Sequence, residues 1–78
     1  MRLRDLAAPG YYDTSEKSLY QYGAAFAQEV QAGLAEGKTF EELDARPPEK
    51  AAQTRDIYRN NGCFGAAAWW AGYVSRWD

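Results

Sequence analysis

The sequence predicts an all-α fold: a small, compact helical bundle of three main helices plus one short helix. Three observations carry that prediction. Apolar residues recur at helical spacing through the longest regular stretch, Gly and Pro punctuate the chain where helices would stop and start, and no segment alternates as a strand would. With 78 residues the chain makes a single domain. A domain this short buries only about 60% of the surface its unfolded form exposes, so its core must be dense.

Met1 to Tyr12 read as an arm, closed by the breaker pair Pro9-Gly10. The first helix is expected from Thr14 to Glu36, with Asp13 as its cap and Glu16, three residues on, as capping-box partner. Leu19, Tyr22, Gly23, Phe26, Val30, Gly33 and Leu34 form its apolar stripe, and Gln21, Gln28, Gln31 and Glu36 fall outside it. Gly37 stands where a left-handed C-terminal cap belongs. Thr39 and Glu42 make a second capping box, opening the short helix with Phe40 and Leu43 on one face. Arg46-Pro47-Pro48 ends it, because a proline disfavours helical geometry in the residue before it. Pro48 then opens the next helix, where no N–H donor is needed. That helix is thin in apolar residues (Ala51, Ala52, Ile57 and Tyr58) and runs to Asn60-Asn61-Gly62, residues that tolerate positive φ. The last helix lies in "CFGAAAWWAGYVSRWD", Cys63 to Asp78. Short loops predict antiparallel neighbours.

The apolar content is skewed. Leu, Ile and Val number eight, Phe, Tyr and Trp twelve, and most of the rest is Ala. The core should therefore set large rings against very small neighbours. In the last helix Ala66, Trp69, Trp70, Tyr73, Val74 and Trp77 share one broad side; Gly65, Ala68, Gly72 and Ser75 line the other. Glycine inside a helix costs up to ~1 kcal/mol relative to alanine, so close backbone packing, against Gly23 and Ala27 of the first helix, is the reason expected for Gly65 and Gly72. Trp69 and Trp70 are adjacent and diverge by about 100°. Both can be buried only if the helix is covered on most sides, which is not expected of a terminal helix. The segment therefore reads as a core helix with one edge left for a partner: Trp69, Tyr73, Arg76 and Trp77, residue types enriched at binding hot spots. The acidic run Glu41, Glu42 and Asp44 is a second candidate partner surface.

Several chemistries lack their residues. The chain has no histidine, the commonest general base and metal ligand. Cys63 is the sole cysteine and has no histidine to activate it, so it reads as an incidental thiol. No Gly-rich phosphate loop is present. Glu41, Glu42 and Asp44 are placed as helix-terminus acids rather than a cation site. No catalytic residue, metal or cofactor is assigned. The longest uncharged stretch, Asn60 to Ser75, is 16 residues, short of the ~18–20 that a membrane span requires. The start of the chain has no apolar run fit for a signal peptide, and a lone thiol suits the cytoplasm.

Net charge is −2, with −4 between Glu29 and Glu49 and +2 from Lys50 to Asp78. That balance argues against a polyanion partner. The expected function is a non-enzymatic, acidic protein-binding module that docks on a larger protein or ribonucleoprotein complex as an inhibitor, or that pairs with a second copy of itself. The alternatives are a small helical nucleic-acid-binding domain using Arg55, Arg59 and Arg76, or an accessory subunit of an enzyme complex. In size, acidity and lack of catalytic apparatus the chain is similar to phage-encoded inhibitors, anti-CRISPR proteins among them. That likeness rests on no motif and implies a docking inhibitor in genre only.

Overall fold

The computed structural model describes residues 15–77, and among them three α-helices and no strand. Helix α1 (Glu16–Ala35) starts from Ser15, which holds extended φ/ψ of −61° and 151° while its hydroxyl accepts the Ser18 amide at 3.2 Å. The cap is therefore Ser15 in place of Asp13, a residue outside those described. Glu16 becomes a first-turn acid facing the positive end of the helix dipole. At the other end Gly37 takes the expected left-handed φ, 91°. The Lys38 and Gly37 amides reach back to the Gly33 and Leu34 carbonyls at 3.1 and 3.0 Å, closing a Schellman motif.

The Thr39–Glu42 capping box forms in both directions, each bond 3.1 Å. What it opens is a single turn across 40–44. Asp44 ends that turn at φ 55°, and the Ala45 amide bonds the Phe40 carbonyl at 2.9 Å. Two prolines follow after only Ala45 and Arg46, leaving no length for a second turn, and Pro47 is extended (φ −58°, ψ 153°) as a residue before proline must be. The turn is pinned to α1 by Leu43, whose Cδ2 would lie 2.6 Å from a Cβ added at Gly33.

Helix α2 (Pro48–Asn60) has Pro48 at its first position and ends on Gly62, φ 77°, with the Cys63 amide bonded to the Tyr58 carbonyl at 2.9 Å. Helix α3 (Phe64–Ser75) begins directly after. It packs on α1 and on α2, while α1 and α2 do not pack on each other. The last helix in sequence is the central one in space.

α2 and α3 form the antiparallel pair their short connection predicts. Arg46, just before α2, lies over Trp70, and its carbonyl accepts the Tyr73 hydroxyl. α1 and α3 instead run in the same general sense. Leu19 meets Gly65 near their starts, and Gln31 donates to the Arg76 carbonyl at 2.6 Å near their ends. The antiparallel expectation fails there because α2 intervenes and returns the chain to the starting end.

The α1–α3 crossing is a backbone contact. A Cβ on Gly23 would sit 1.8 Å from the Trp69 carbonyl oxygen, and one on Gly72 1.9 Å from that of Tyr20. Around this crossing lies the core: Leu19, Phe26, Ala27 and Val30 from α1, Ala51 from α2, and Ala67, Trp69, Trp70 and Tyr73 from α3. The α1 members lie on or beside the stripe read from the sequence.

Candidate functional site

With α3 covered from two sides, both adjacent tryptophans are inside. Trp69 is 0% exposed and Trp70 3%, their rings meeting edge-on at 5.0 Å. Tyr73 is also fully buried, stacked on Trp69 at 6.0 Å and flanked by Phe26 at 5.8 Å. Burial pushes its phenol up to about 12. The indole N–H groups of Trp69 and Trp77 are buried without a hydrogen-bond acceptor, so these rings are held by shape and apolar area.

Trp69 and Tyr73 are therefore core, which corrects their assignment to a partner-facing edge. The reason is topological: α3 is central, so Phe26 of α1 covers Trp69 and Tyr73, and the segment around Arg46 meets Trp70 and Tyr73 from the other side. Trp77 is half-buried, its ring 5.7 Å from both Phe40 and Tyr73. Arg76 is exposed. The aromatic edge does not form one surface.

Glu41, Glu42 and Asp44 are exposed, on a single turn where the sequence expected the start of a short helix. Glu42 is engaged by its capping box, and among the described residues no group of three or more His, Cys, Asp or Glu could hold a metal ion. Cys63 is an exposed free thiol. The three arginines of the nucleic-acid alternative do not converge. Arg55 is engaged with Asp56 at 3.1 Å, and Arg59 and Arg76 flank opposite ends of α3, about 18 Å of helix apart.

The surface feature that stands out lies elsewhere. A groove of about 540 Å³ runs between the 40–47 segment and α2. One wall is Phe40, Glu41, Ala45, Arg46 and Pro47; the other is Lys50, Gln53, Thr54 and Ile57. These last four are spaced i, i+3, i+4, i+7, a single face of α2 turned away from the core. Ile57 is 60% exposed, the most exposed large apolar side chain among the described residues. Tyr58 beside it and Phe64, which opens α3, are also exposed, so three large apolar side chains sit at one end of the α2–α3 pair. Sequence reasoning did not single out Ile57. The signal available was its isolation: the one branched aliphatic in a helix whose other apolar residues are two alanines, Tyr58 and the opening proline.

The groove's polar groups are organised by Thr54. Its hydroxyl donates to the Lys50 carbonyl at 2.9 Å, which leaves its lone pairs to accept Arg46 Nη1 at 2.6 Å. The guanidinium also rests over Trp70, 5.2 Å from the ring centroid. No protein-family model, curated protein or solved structure matches this chain.

Proposed function

We propose that this chain is a non-enzymatic protein-binding module whose contact surface is the outward face of α2 and the groove beside it. The observation that supports this most is the exposed Ile57 in the groove wall. Burying an isoleucine side chain is worth about 1.5–3 kcal/mol, and the fold leaves most of that unrealised. A partner covering Ile57 and the neighbouring Tyr58 would gain it. With no catalytic group assigned, the chain acts on its partner by occupying surface. That accords with inhibition by docking on a larger protein or ribonucleoprotein complex, and the exposed unpaired Cys63 accords with a cytoplasmic setting.

The test is affinity capture from the native host, with mass-spectrometric identification, comparing the wild type with Ile57→Asp. Because Ile57 is exposed, the variant should keep its helical circular dichroism. The expected result is a partner held by the wild type and lost by the variant. Equal capture of the same proteins by both would refute the placement. A self-association seen in sedimentation, and abolished by the same change, would identify a second copy as the partner.

A further inference from the structure

We propose that the groove between the 40–47 segment and α2 receives a segment of another protein carrying a carboxylate and an apolar side chain about 5–10 Å apart. This rests on the protein-binding reading above and names the chemistry of the partner. The spacing comes from α2 itself: on one helix face Lys50 stands seven residues from Ile57, about 10 Å along the axis, and Thr54, which holds Arg46, three residues, about 5 Å. The wall therefore grades from a cation, through the polar Gln53 and Thr54, to an exposed branched aliphatic.

The stretch from Lys50 to the Thr54-held guanidinium of Arg46 is built to accept an anion. Arg46 and Lys50 both line the groove, and neither has a carboxylate partner among the described residues. Arg46 is fixed at both ends: its carbonyl accepts the Tyr73 hydroxyl, and its guanidinium is held by Thr54 and the Trp70 face. Thr54 takes up one nitrogen of the fork, and the other N–H groups remain for a ligand. A pre-placed guanidinium loses little further freedom on binding, so a carboxylate there is favoured over one meeting a loose lysine. Glu41 lines the same wall as Arg46, and with Asp44 it borders Arg46 on the turn side. Those two acids repel a ligand carboxylate from the turn and direct it to the α2 side, towards Lys50. They also disfavour a polyanion, which would bring charge to both walls at once.

The test uses ¹⁵N-labelled full chain and a capped synthetic peptide containing Glu-Ala-Ala-Leu. Its controls are the peptide with Lys for Glu, the peptide with Ser for Leu, inorganic phosphate, and a short oligouridylate. Saturable amide shifts are expected at Ala45, Lys50, Gln53, Thr54 and Ile57, weakening as salt is raised. Each control peptide should bind at least about tenfold more weakly, and Ile57→Ser should abolish the preference for Leu over Ser while leaving the remaining spectrum in place. Absence of saturable shifts, or equal binding of the Lys peptide, overturns the proposal. So does tighter binding of phosphate or oligouridylate at the same amides, which would make the cation pair a phosphate site. If the peptide fails while host capture still depends on Ile57, the protein-binding reading stands and the acid–apolar chemistry alone is wrong.

Discussion

Among the described glycines, Gly72 and its counterpart Gly23 should be the two least tolerant of an added methyl, and Gly72→Ala shows why. The added Cβ would lie 1.9 Å from the Tyr20 oxygen and 2.7 Å from its carbon, and both are backbone atoms that cannot swing aside. Carbon atoms are not found closer than 3.0 Å in such contacts, so α1 and α3 must separate by at least about 1 Å. A gap of that size forfeits a quarter to a half of each dispersion contact across the seam. The seam carries Phe26 against Trp69 at 5.5 Å and against Tyr73 at 5.8 Å. Overpacking alone costs about 1–3 kcal/mol, and the loosened ring contacts add to it. Alanine's helix propensity returns about 1 kcal/mol. The net expectation is a loss of about 3 kcal/mol, a large fraction of the ~4–12 kcal/mol usual for a chain of this length. It would lower the thermal midpoint by about 10–25 °C.

Two companions make the reasoning refutable by denaturant titration. Gly65→Ala places its Cβ 3.1 Å from Leu19 Cδ1, the far end of a flexible side chain, and should stay within about 0.5 kcal/mol of wild type. Gly23→Ala clashes with the Trp69 oxygen at the same crossing, at 1.8 Å. One separation of the helices relieves both clashes, so the double variant should cost clearly less than the sum of the two singles. A Gly72→Ala protein with an unchanged midpoint, or a fully additive double variant, would refute the backbone-contact account.

Phe26→Ala should destabilise by about 3–5 kcal/mol, the usual cost of emptying a buried phenylalanine site, and a loss under about 1 kcal/mol in denaturant titration would count against the assigned core. Tyr73→Phe should cost about 1 kcal/mol at neutral pH through the lost donation to the Arg46 carbonyl. Its pH dependence has a definite sign. The folded pKa, about 12, lies above the ordinary 10.0, so the stability tied to the neutral phenol is complete below pH 10 and lost as pH rises towards 12. The gap between wild type and Tyr73→Phe should therefore shrink above pH 10 and reverse, and a gap constant up to pH 12 would show that Tyr73 ionises freely.

Helix ends were legible because they are decided locally. A glycine at φ 91° after α1, the reciprocal Thr39–Glu42 box and Pro48 at the first position of α2 each satisfy backbone groups within a few residues. The first cap was misplaced by two residues because Asp13 and Ser15 are both competent caps, and local sequence does not rank them. The small-residue faces were legible in part: glycine in a helix interior has a cost that close approach offsets, and Gly23 and Gly72 both lie at the crossing, whereas Gly65, expected to meet a backbone, faces only the end of the Leu19 side chain. Helix order in space was not legible. Which helix is central depends on contacts between residues far apart in sequence, and position at the end of the chain gave the wrong answer.

That single error carried through to the site. Hot-spot statistics favour Trp, Tyr and Arg, and they pointed at α3; but the same rings are what a chain with eight branched aliphatics must use to build its interior. Once α3 is central, Trp69, Trp70 and Tyr73 are consumed by the core. What the fold leaves outside is set by the helix with the weakest claim on that core. Among the described residues α2 buries only Ala51, so most of its circumference faces away from α3, and Ile57 on that outward side is left 60% exposed. In a small bundle with a ring-built core, an isolated aliphatic on the most polar helix is thus a better pointer to a binding surface than the richest aromatic run. The aromatic run is already accounted for by the need to fold.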